Sequence, residues 1–153
     1  MSYAQHDTRL VTRLLEELAP HLAASRAFDF KRWQDRDVLI GELWRKRILG
    51  ELERHRIVLL MITPTFLVRP FILEDELPRI LLPGKIVLPV LVKPIDLSLQ
   101  NAQGVENLNI FAHRISGTRR TSYSECNAKQ REIFVLELYR AIEARLGRDL
   151  TAA

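Results

Sequence analysis

The chain has 153 residues, 47% of them apolar, which suits a single domain with a sizeable core. Its net charge of +4 comes from 23 basic side chains scattered among 19 acidic ones rather than gathered with aromatics, which argues against nucleic acid as a partner. A lone cysteine, Cys126, excludes an internal disulfide, and there is no apolar run of about 18 residues or signal-like segment, so the expectation is a cytoplasmic protein without a membrane span.

The chain opens on Ser2, Tyr3, Ala4, Gln5 and His6, a loop with no apolar strand before it. Asp7 then reads as the N-cap of a helix whose Leu10, Val11, Leu14, Leu15, Leu18 and Leu22 fall on one face, with Pro20 bending or shortening its last turn. Residues 27–33, AFDFKRW, alternate aromatic and polar side chains, as a short half-exposed strand does. Residues 34–41 are charged at the start and closed by Gly41, a loop signal. A helix with Trp44, Ile48, Leu49 and Leu52 as its buried face follows.

Residues 56–81 form the stretch around which the rest is arranged. Six consecutive apolar residues from Ile57 predict a strand covered on both faces in a mostly parallel sheet, and Thr63-Pro64 ends it because proline has no N–H for a ladder. After Pro70, the residues Ile72, Leu73, Leu77, Ile80 and Leu81 recur at helical spacing, with Glu74, Asp75 and Glu76 at the helix start. Acidic groups there complement the helix dipole, which is the simpler reading of any one of them. Their position beyond the carboxyl end of a strand, where ligands collect in open α/β sheets, favours a functional role for one of the three.

Leu82-Pro83-Gly84 makes a turn into a second aliphatic strand, residues 85–92, in which Pro89 implies an irregularity or the border of the sheet. Residues 93–124 read as loop-rich, with a short strand at 108–115. Arg114, Arg119 and Arg120 form a solvated basic loop in preference to an anion site. A long helix over 127–146 ends at Gly147. The alternation of helices and strands predicts an α/β domain, a doubly wound parallel sheet flanked by helices.

Three segments carry a resemblance. Residues 2–7, SYAQHD, look like the SYSHxD segment of bacterial Toll/interleukin-1 receptor (TIR) domains. Residues 33–44, WQDRDVLIGELW, look like that family's WxDRDIxPGxxW loop. Residues 63–77, TPTFLVRPFILEDEL, resemble its SPxFLxSxYIxxxEL segment. The match runs in order from Ser2 to about Asp96; beyond that it holds only in outline. It implies a flavodoxin-like fold with five parallel strands and, in many bacterial and plant members, an NAD⁺ glycohydrolase that separates nicotinamide from ADP-ribose. In that family SYSHxD follows directly on a hydrophobic central strand, whereas here only Met1 precedes Ser2. The resemblance therefore leads us to expect a first central strand that is missing or truncated, with Met1 the end of a strand encoded upstream. Its neighbours would be left with exposed edges unless another segment fills the slot.

By the same resemblance Glu76 is the catalytic carboxylate, because it aligns with the glutamate of the EL pair. Family members that catalyse often carry tryptophan four residues before that glutamate; here Ile72 stands there and Phe71 lies five before. A one-residue insertion reconciles the spacing, and a strict count of four from Phe71 makes Asp75 the alternative. Tyr3, Ala4 and Gln5 would border the nucleotide, with Asp35, Arg36, Trp44 and Phe71 nearby; the simpler readings are core packing for Trp44 and Phe71 and a solvated loop pair for Asp35 and Arg36. NAD⁺ would be a substrate rather than a cofactor, no metal is expected, and other TIR domains, including copies of this chain, would be the partners. Against the enzyme stand two further readings. One is a non-catalytic adaptor docking through residues 34–41 on other TIR domains; the other is a nucleoside deoxyribosyltransferase-like enzyme. A role in bacterial defence signalling rests on the resemblance alone.

Overall fold

A computed structural model of the chain describes residues 1–30, 49–50, 52–70, 72–98, 104–115 and 119–151. It is a mixed helix and strand protein built on a small parallel sheet. In chain order, helix α1 spans Thr8–Ala23, strand β1 Ile57–Ile62, the short helix α2 Leu77–Ile80, strand β2 Ile86–Leu91, strands β3 and β4 His113–Ile115 and Arg119–Thr121, and helix α3 Ala128–Thr151.

The two apolar runs form the parallel pair: β1 and β2 align from Ile57 opposite Ile86 to Ile62 opposite Leu91. Single bridges extend the sheet on both sides. Ser2 bridges in parallel to Leu60, and Phe111 bridges in parallel to Val90. The start of the chain therefore lies beside β1 as one residue of strand pairing. Pro89 sits in regular register opposite Leu60. Its carbonyl accepts from the Phe111 N–H on the outer side, so the N–H it lacks points to the edge where pairing has only begun, which is how a proline fits inside this strand.

Both faces of β1 are covered, as an uninterrupted apolar run requires. Met61 lies under α1 and α3 together with Val11, Leu14, Leu18, Phe134 and Leu138. Val58, Leu60 and Ile62 pack on the opposite face against Leu52, Phe66, Ile72, Leu77 and Ile80. Residues 49–50 and 52–54 are helical, and Leu52 is buried as its spacing predicts.

Several expectations are corrected. Asp7 holds the N-cap position of α1, as expected, but its side chain makes no bond to the first turn, because it is bound to Thr63 just beyond β1 and to Lys93 beyond β2. Pro20 falls in the last turn of α1, as expected, and the helix ends at Ala23. Residues 27–30 form no strand, since the Ser25 hydroxyl accepts from the N–H groups of Ala27 and Phe28 and folds them into a turn. Residues 31–33, the rest of that expected strand, and the loop and helix start over 34–48 lie outside the described residues. Helix α3 does not stop at Gly147. Leu146 is buried, and Arg145 and Asp149 pair across the glycine at 2.7 Å, which offsets the roughly 1 kcal/mol that glycine costs a helix. After β1 the expected α-helix is interrupted by a π-turn over Ile72–Glu76, and α-helix follows over Leu77–Ile80.

Candidate active site

The carboxyl ends of the parallel strands bring together segments remote in sequence: the residues after Ser2, Thr63 after β1, and Lys93 after β2. Two buried carboxylates, Asp7 and Glu76, meet them there.

Glu76 is the last residue of the π-turn and is only 5% exposed. Ser2 donates its hydroxyl to Oε2 of Glu76 at 2.5 Å. Ser2 is itself fixed, because its N–H donates to the Leu59 carbonyl at 2.9 Å and its carbonyl accepts from the Met61 N–H at 3.0 Å. A buried carboxylate is costly without partners, so this anchored hydroxyl accounts in part for its position. The acidic trio is thus divided by the turn: Glu74 is exposed, Asp75 half-buried and Glu76 buried. Among these three, Glu76 alone has the desolvated setting that strengthens electrostatic interactions. Asp75 contributes its backbone carbonyl, which accepts from the Arg79 guanidinium at 2.6 Å.

Asp7 is occupied differently. Its Oδ1 lies 2.6 Å from the Lys93 ammonium, and its Oδ2 accepts the Thr63 hydroxyl at 2.6 Å. The same Thr63 oxygen accepts from the N–H of Phe66 at 3.0 Å and so turns the chain at the end of β1. With both oxygens engaged, Asp7 is a clasp joining the chain start to the ends of β1 and β2.

Of the other predicted site residues, Tyr3 is half-buried, Ala4 is buried and Gln5 is exposed in the 3-10 turn Gln5–Asp7. All three follow the residue that holds Glu76. Asp35, Arg36, Trp44 and Phe71 lie outside the described residues. Sequence reasoning missed the roles of Ser2 and Lys93. Ser2 stood within the recognised SYAQHD segment and was the available signal; Lys93, one ordinary lysine after a strand, offered none.

Cavities lined by described residues include two away from Glu76. One of about 680 Å³ lies between α1 and β1 near Met1, and one of about 490 Å³ lies between α3 and the turn 81–85; neither is lined by Glu76. Among the described residues no group of three or more His, Cys, Asp and Glu side chains is placed to hold a metal ion, and no helix is long and apolar enough to cross a membrane. No protein-family model matches the chain, and no curated protein or solved structure does either.

Proposed function

We propose that this chain is a TIR-type domain of flavodoxin-like, doubly wound architecture that cleaves the nicotinamide–ribose bond of NAD⁺ when copies of it assemble. The observation that carries the reading is the burial of Glu76, held by Ser2, at the carboxyl ends of the parallel strands. The π-turn supports it further. Its hydrogen bonds run to the fifth residue rather than the fourth, which is the local form of a one-residue insertion and accords with the spacing of five from Phe71 to Glu76 in the sequence.

The chemistry follows from the bond. Nicotinamide leaves as a neutral molecule from a cationic pyridinium, so the departing base needs no proton. Positive charge grows on the ribose carbon instead. A carboxylate in a water-poor setting stabilises that charge more in the transition state than in the substrate. Glu76 serves in this role and accepts from the ribose hydroxyls, as carboxylates do at the sugar of a glycosidase. Water then adds to the sugar carbon and releases a proton, giving ADP-ribose and nicotinamide; attack by the adenine ring instead gives the cyclic product. Gln5, exposed beside this edge, and the half-buried Tyr3 border the nucleotide.

The test is nicotinamide release from NAD⁺ by the purified chain, measured at high and low protein concentration. Release that rises more steeply than protein concentration supports an enzyme completed by self-association. An oligomer that releases none contradicts the enzyme and leaves the non-catalytic adaptor.

A further inference from the structure

The cavity of about 490 Å³ is a cleft between β2 and the second half of α3. Apolar side chains wall it, among them Leu82, Phe111, Leu138 and Ile142. On its lip Leu81 is 37% and Leu82 52% exposed, so apolar surface is left facing water beside an open cavity. The charged side chains that line it are Lys85, Arg145 and Arg148, all of them basic. Lys85 is engaged elsewhere, since its ammonium donates to the carbonyls of Leu52, Glu53 and His55. Arg145 and Arg148 stand three residues apart on α3 and so share one face of the helix. The Nε of Arg145 donates to Asp149 at 2.7 Å, and the Nε of Arg148 donates to the Ala144 carbonyl at 3.3 Å. The terminal N–H groups of Arg145 have no partner among the described residues.

We propose that this cleft binds a medium-chain fatty acid, with its carboxylate on Arg145 and Arg148 and its tail against Leu82, Phe111, Leu138 and Ile142. The volume falls within the roughly 300–1,000 Å³ of small-molecule sites. A guanidinium matches a carboxylate with two parallel N–H···O bonds, and a second arginine one turn away adds to the attraction. The lining offers no acidic side chain, so charge selects an anionic head over a cationic one. Its apolar walls select a tail without further polar groups, because each of those would be buried unpaired. A peptide strand added along β2 is disfavoured by the strand itself. Ile86, Leu88 and Val90 turn their backbone groups to β1, which leaves Val87, Pro89 and Leu91 facing outward. Of these, Pro89 has no N–H, its carbonyl already accepts from Phe111, and the Leu91 N–H already donates to the Phe111 carbonyl. An acyl tail needs no such ladder. No part of this site involves Glu76, so it stands independently of the proposed activity.

The experiment titrates the full chain with decanoate and with decanol, each below its aggregation concentration, and reads heat and amide chemical shifts. Decanoate should bind saturably at one site and shift the amides of Val87 and Phe111. Decanol should bind at least about tenfold more weakly, as loss of a charge-assisted pair does. Arg145→Gln combined with Arg148→Gln should lower decanoate to the affinity of decanol. Ala144→Trp, which fills the cleft from an exposed helix position, should abolish binding of both. All three substitutions fall on exposed residues of α3, and circular dichroism confirms that the variants fold. Absence of saturable decanoate binding overturns the proposal, as does undiminished binding by the double Gln variant. Retention on phosphatidylglycerol vesicles without binding of free decanoate overturns it too and assigns the cleft to a membrane surface. A dimer broken by Ala144→Trp, in a chain that binds no decanoate, overturns it in favour of a second copy.

Discussion

The Ser2 hydroxyl donates to the Glu76 carboxylate at 2.5 Å across 74 positions of sequence. This bond joins the chain start, paired to the edge of β1, to the turn that follows β1. Ser2→Ala removes it while leaving both backbone bonds of residue 2 in place. Loss of a neutral donor to a buried carboxylate is expected to cost about 1–3 kcal/mol of stability. With the carboxylate less firmly oriented, kcat for nicotinamide release should fall about 10- to 100-fold. Chemical denaturation and steady-state kinetics on the same preparation check both, and unchanged stability with unchanged turnover would show that Ser2 does not position Glu76.

Asp7, Thr63 and Lys93 behave as one unit. Asp7→Asn keeps the shape but removes the charge facing Lys93, and Thr63→Val removes the hydroxyl that both bonds Asp7 and accepts from Phe66. The Asn variant is expected to lose about 2–4 kcal/mol, since a buried partner is removed from an ion pair. The double variant should lose less than the sum of the two singles, with a coupling of about 0.5–3 kcal/mol. A double-mutant cycle by urea unfolding measures this; strict additivity contradicts the clasp.

Glu125 supplies a pH dependence of known sign. Its carboxyl lies below the usual carboxylate range because it accepts the Ser122 N–H and then the Ser122 hydroxyl, each at 2.8 Å, with Arg119 assisting. A pKa lowered on folding contributes stability that is present above the unfolded-state pKa and lost as pH falls through the folded one. Glu125→Gln should therefore cost about 0.5–1 kcal/mol at pH 7, in the range of a lost helix cap, with the difference from the parent chain vanishing at strongly acid pH. Thermal unfolding of both proteins across pH 2–7 tests it. A gap that persists unchanged at low pH contradicts the assignment.

Cys126 should be unreactive. Burial pushes its thiol up, the Glu125 carboxylate adds to this against Arg131, and the sulfur donates to the Ser122 carbonyl at 3.4 Å. Alkylation at neutral pH is expected to be slow in the folded chain and to accelerate on unfolding, because the thiolate is the nucleophile. Rapid stoichiometric labelling of the native protein would contradict the burial.

Much of the frame was legible because its causes are local. Six apolar residues from Ile57 can satisfy themselves only where both faces are covered, and the structure covers both. The stripe Val11, Leu14, Leu15 and Leu18 announced α1 for the same reason. What the sequence hid are choices decided by remote partners. Asp7 has the composition of an N-cap, but Thr63 and Lys93, 56 and 86 positions away, compete for its oxygens and win. Gly147 looks like a helix stop until Leu146 is found buried and Arg145 reaches Asp149 across it.

The site followed the same rule. The cluster Glu74, Asp75 and Glu76 was visible, but which of them turns inward depends on one extra residue in the turn. Helical periodicity alone assigns these residues to an α-helix, whereas the π-turn brings Glu76 to Ser2. The hydroxyl that holds it could not be paired with it from sequence spacing.

The most direct test of the central claim is nicotinamide release from NAD⁺ by Glu76→Gln and Asp75→Asn, each assayed at the concentration where the parent chain is assembled and each shown to be folded. Both substitutions keep size and remove one charge. The account predicts that Glu76→Gln loses at least about 100-fold in kcat, as loss of a transition-state charge partner does, while Asp75→Asn stays within about threefold of the parent. Full turnover by Glu76→Gln, or loss confined to Asp75→Asn, would contradict it.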